Sequence, residues 1–139
     1  VYVRYVGLPG LLATAFAGLM IRRFGVMRMV LLGFVLMGLA FLAPIVADAA
    51  TGVYIAGAVF TFGIAVAIPA LLLTVGNAAP DARALAISIH ASVQFVGVAL
   101  APAVTGLMLE RGYSLTDVCL LAAGLSFFAV AMNVRPARV

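Results

Sequence analysis

From Val53 to Gly76 the chain reads VYIAGAVFTFGIAVAIPALLLTVG, 24 residues without a charge. About 20 apolar residues cross the roughly 30 Å hydrocarbon core of a bilayer as a helix, whereas a barrel strand needs only about 10. Lipid offers a backbone no hydrogen-bond partner, so a run of this length must be helical to satisfy its own amide groups. The same reading extends to both sides. Apolar runs cover residues 3–21 and 26–47 before it, and 82–109 and 116–134 after it. Pro44 and the small polar link 48–52 separate the second run from the third, and the break Asn77–Asp81 separates the third from the fourth. The expected fold is all-α, a polytopic membrane bundle of about five transmembrane helices over residues 1–139 with no soluble domain.

Composition excludes the alternatives. Apolar residues make up 67% of the 139 and charged residues 9%, with a mean hydropathy of +1.32. Soluble domains are about half apolar and a quarter charged. The net charge of +4 comes from eight arginines and no lysine, and these sit at the ends of the apolar runs instead of along one stripe. That placement argues against a nucleic-acid partner and for the bilayer. Cys119 is the one cysteine, which excludes a disulfide framework and a multi-cysteine metal site. The chain opens at Val1 already in apolar sequence, with neither an initiator methionine nor a cleavable signal pattern, and reads as a fragment of a longer polypeptide.

Arginine placement also predicts the orientation, because short basic loops are retained in the cytoplasm. Arg22, Arg23, Arg28, Arg83, Arg135 and Arg138 fall on one side of the alternating helices, and Arg4 and Arg111 on the other with Asp48, Glu110 and Asp117. The expected location is a bacterial inner (plasma) membrane, multi-pass, with the C-terminus cytoplasmic and the start of the chain outside.

Small residues allow close helix contact in lipid. Gly7, Gly10, Ala13, Ala17 and Gly18 lie near one side of the first helix, and Ala86, Ser88 and Ser92 begin a similar surface on the fourth. Pro9, Pro69 and Pro102 each remove a backbone donor inside a span and crowd the preceding turn. With Gly63 and Gly97 they mark the expected helix bends. The fourth run carries the polar side chains at depth: His90, Gln94, Gly97, Ala101 and Thr105 recur at helical spacing and share a face. At about 1.5 Å per residue, His90 stands roughly 8 to 12 Å inside its end of the span. Polar groups in hydrocarbon need a partner or a wet cavity, so the stripe is expected to face inward. Histidine is also the side chain whose ordinary titration lies nearest neutrality, which makes His90 a candidate for proton coupling or substrate contact.

The segment Gly18-Leu-Met-Ile-Arg22-Arg23-Phe-Gly25-Val-Met-Arg28 resembles the loop signature of the major facilitator superfamily, Gly-x-Leu-Ala-Asp-Arg-x-Gly-x-x-Arg. Gly18, Arg23, Gly25 and Arg28 match, and Arg22 occupies the acidic position. Gly63, Pro69, Pro80, Asp81, Arg83 and Ala84, then Gly97, Ala101, Pro102 and Gly106, are similar to the third and fourth helices after that loop. The loop occurs in both halves of these transporters. The absence of an arginine between Val53 and Gly76, the eroded acid at Arg22 and the short basic tail favour the C-terminal half, helices eight to twelve.

The resemblance implies a secondary active transporter, moving a small-molecule substrate by alternating access, with protons as a coupling ion and efflux as a common role. It implies as partner the missing N-terminal half of the same polypeptide. It places Thr61 and Tyr54 beside His90 and Gln94 as substrate-path candidates, because the family's tenth helix lines that path. An alternative stays open: a non-transporting membrane assembly or sensor module of the same fold, suggested by Arg22 and by the lack of a carboxylate in the middle of any span. No enzyme, cofactor or metal is expected, for the sequence has no nucleophile paired with a base, no phosphate-binding loop and no cluster of metal ligands.

Overall fold

The computed structural model describes residues 8–46 and 49–134. Arg4, Asp48, Arg135 and Arg138, used above for orientation, lie outside the described residues. Five helices follow one another: α1 (Leu8–Phe24), α2 (Val26–Val46), α3 (Ala49–Ala78), α4 (Arg83–Glu110) and α5 (Leu115–Val134), with a short 3₁₀ turn at Pro80–Ala82. Four spans, Val26–Val46, Thr51–Ala78, Pro80–Glu110 and Leu115–Val134, are long and apolar enough to cross a membrane. The described part of α1, at 17 residues, is shorter than they are. Large apolar side chains face outward throughout, as Phe95 (74% exposed) and Val93 (66%) do on α4. Among the described residues no polar or charged residue is buried. In water such a surface would aggregate, and in lipid it is solvated. This is an integral, multi-pass membrane helical bundle.

The ends of the helices follow from local chemistry. Arg22 and Arg23 fall within the last turn of α1, where cations complement the negative end of the helix dipole. Gly25, at φ +88°, then stops α1 by donating its N–H to the Ile21 carbonyl at 2.9 Å. That left-handed cap is a conformation open to glycine and strained for other residues. Gly25 is the whole connection to α2. At the other end of the bundle, Gly112 (φ +85°) closes α4, with Gly112 N–H donating to Leu109 and Tyr113 N–H to Met108. Two such bonds make a Schellman cap. Ser114 then starts α5: its backbone N–H and hydroxyl donate to Asp117 Oδ2 at 2.8 and 2.7 Å, and Asp117 N–H donates to Ser114 Oγ at 3.2 Å. This reciprocal pairing is a capping box with aspartate as its acid.

The central pair is α2 and α3, antiparallel and in contact along their length. At Gly33 the two backbones come close, since a methyl carbon on it would lie 2.9 Å from the Gly63 carbonyl oxygen. Further along, Phe41 and Phe60 meet edge to face at 5.3 Å. Ile21 of α1 joins Met29 and Val30 of α2 and Val66 and Ala70 of α3 in the buried core. On the other flank α5 leans on α2 through the Phe127 ring, 2.8 Å from where a methyl on Gly38 would stand. The fourth helix touches α3 and only grazes α5, and none of its residues is buried.

Candidate functional site

Two groups of polar side chains stand out within the spans. The hydroxyls of Thr61, Thr74, Ser88, Ser92 and Ser126 each donate to the carbonyl four residues back, at 2.7 to 2.9 Å, and Asn133 Nδ2 does the same to Ala129. A hydroxyl in hydrocarbon satisfies its proton in this way without any neighbouring helix. His90, Gln94 and Thr105 form the second group. Among the described residues none of these three side chains has a hydrogen-bond partner, although His90 and Thr105 are half-buried. All three belong to the face of α4 singled out by spacing, whereas Ser88 and Ser92 lie on the opposite face.

That stripe runs into a cleft. Between α4 and α5 lies an open apolar cavity of about 280 Å³ whose α4 wall includes Gly97, Ala101 and Thr105, with Leu121 and Ala122 on α5. Gly97 has open space where a side chain would begin, since no atom lies within 4 Å of its added Cβ. His90 and Gln94 continue the same face past the mouth of the cavity, toward the start of α4, and do not line it.

Thr61 and Tyr54 stand elsewhere. Thr61 is half-buried with its proton given to Gly57, and Tyr54 is exposed near the start of α3. A second apolar hollow of about 260 Å³ between α2 and α3 is lined by Phe41, Gly57 and Phe60 among others, and neither Thr61 nor Tyr54 lines it. The four substrate-path candidates thus do not converge on one cavity within this chain.

The bends and the loop can be placed as well. Helices α3 and α4 run uninterrupted through Pro69 and Pro102, and Pro9 lies in the first described turn of α1. Gly63 is a packing contact, its position crowded by the Gly33 carbonyl and Met37. In the loop signature, Gly18, Arg22, Arg23, Gly25 and Arg28 are all exposed, and Arg23 rests 5.8 Å from the centre of the Phe24 ring. Sequence reasoning passed over Gly33 and Gly38. Their signal was available, as a glycine in an apolar run marks close backbone approach. It also passed over the spacing Ser114-x-x-Asp117, which writes the cap of α5.

Comparisons with protein-family models, with curated proteins and with solved structures gave no match to the chain.

Proposed function

We propose that the chain is part of a secondary active transporter of the major facilitator type, in which α4 lines the path of a small solute. The observation that carries the reading is the stripe His90, Gln94 and Thr105, three polar side chains at membrane depth with no hydrogen-bond partner among the described residues. Such groups are costly in hydrocarbon and persist where they meet water, a solute or another polar helix. The adjoining apolar cleft suits a lipophilic substrate, and efflux is the role such a lining fits best. In this reading the opposing bundle comes from the N-terminal half of the same polypeptide, the chain supplies helices eight to twelve, and His90 carries the coupling proton. The role is not enzymatic, for alternating access moves its substrate without covalent chemistry.

The test is flux in proteoliposomes containing the full-length protein, with and without a proton gradient. Gradient-dependent movement of a lipophilic solute is the expected result. Gln94→Leu should lower flux about tenfold, the worth of one hydrogen bond made to substrate or water in the path. His90→Ala should flatten the dependence of flux on pH. Absence of gradient-dependent flux in the intact protein would instead favour an assembly or sensor module, the reading that Arg22 in the loop's acidic position supports.

A further inference from the structure

One end of the bundle concentrates positive charge. Arg22 and Arg23 occupy the last turn of α1 and Arg28 the first turn of α2, with the single residue Gly25 as the connection. Arg83 opens α4 and folds back over the end of α3, its Nε 2.8 Å from where a methyl on Gly76 would stand. The helix order puts all four at the same end of the bundle, the end of α1 and α3 and the start of α2 and α4, and Ile21, Met29 and Ala70 of α1, α2 and α3 share one core cluster. All four side chains are exposed, and among the described residues none is in an ion pair. The nearest acid in sequence is Asp81, also exposed. Each arginine lies where an apolar span gives way to polar sequence, which is the depth of lipid headgroups.

We propose that this arginine end is a docking surface for the phosphate groups of anionic phospholipids. The guanidinium presents a planar fork of donors that matches phosphate oxygens two at a time, and it is more weakly hydrated than an ammonium. The chain uses arginine at every basic position and lysine at none. A lipid also meets the second requirement of the site: its acyl chains lie along the exposed apolar flanks of α1 and α4 while its phosphate reaches the arginines. A soluble phosphate has no use for those flanks. The inference stands apart from the transport reading, since it needs neither a substrate nor a moving helix.

Native mass spectrometry of the full-length protein in micelles with equimolar phosphatidylglycerol and phosphatidylcholine of matched chains reads the preference directly. Phosphatidylglycerol should be retained over phosphatidylcholine, with each removed arginine weakening the preference by about fivefold. The combined variant R22Q/R23Q/R28Q/R83Q should lose it, while R111Q, at the opposite end of the bundle, should keep it. Circular dichroism confirms that the variants remain helical, and a salt series on the unaltered protein gives an independent reading in which the preference falls as salt rises. Equal retention of the two lipids, a preference that survives the fourfold substitution, or a preference indifferent to salt each overturns the proposal. So does saturation of the same arginines by inorganic phosphate in lipid-free micelles, which assigns the surface to soluble anions.

Discussion

At Gly33 a methyl group would lie 2.9 Å from the Gly63 carbonyl oxygen and 2.5 Å from Cβ of Ala67, both fixed parts of α3. At Gly97 it would meet nothing within 4 Å. The same substitution therefore has opposite consequences at the two positions. Gly33→Ala should destabilise the bundle by about 1 to 3 kcal/mol, the range for overpacking a close contact. Gly97→Ala should be neutral or slightly stabilising, since alanine is the better helix former. Reversible unfolding in mixed micelles measures both, and equal effects at the two sites would contradict the packing described. This contrast was only half legible in the sequence. Gly97 stands beside Ala101 and Thr105 in a readable stripe, but whether a glycine faces a backbone or an open cleft depends on which helix lies across from it. Nothing in the spacing of α2 says that Gly33 meets Gly63 and Ala67.

Among the elements, α5 depends most on its cap. Its first turn is tied by the reciprocal bonds of Ser114 and Asp117, and beyond them the helix buries Ala123 alone among its residues. Ser114→Ala removes the hydroxyl from both sides of that pairing and should cost about 1 kcal/mol, with faster amide exchange in the first turn of α5. Ser114→Thr, which keeps a hydroxyl that both donates to Asp117 Oδ2 and accepts from its N–H, should recover most of the protection. The long apolar runs made the existence of α2 to α5 plain, because periodicity is not needed when a segment is apolar all round. Helix ends were harder to read. Arg22 and Arg23 lie inside α1, for an arginine at a helix end can send its charged head to the interface while its backbone stays helical. Likewise α3 begins at Ala49, so most of the polar link expected over 48–52 is taken into the helix.

For the whole molecule, the alternation of five helices puts Arg23 and Arg83 on one end and Glu110 and Arg111 on the other. Thiols introduced beside Arg23 and Arg83 should therefore respond alike to an impermeant maleimide in intact cells, and a thiol beside Glu110 should respond oppositely. Basic loops are held inside, so the first pair should be the protected one. Cys119 is replaced by alanine in that experiment so that no native thiol reports. Opposite behaviour of Arg23 and Arg83 would overturn the helix order itself.

The pairing of α2 with α3 bears on how the bundle is made. These neighbours in sequence share more contact than any other pair of helices, so they can zip together as a hairpin while the ribosome is still producing later segments. Phe127 arrives later and must reach back past two intervening spans, α3 and α4, to settle on Gly38. That contact joins α5 to α2 and leaves α4 leaning on α3. A nascent chain stalled between Glu110 and Phe127 should thus leave the Gly38 flank of α2 open to the insertion machinery, and biogenesis is most vulnerable at that moment.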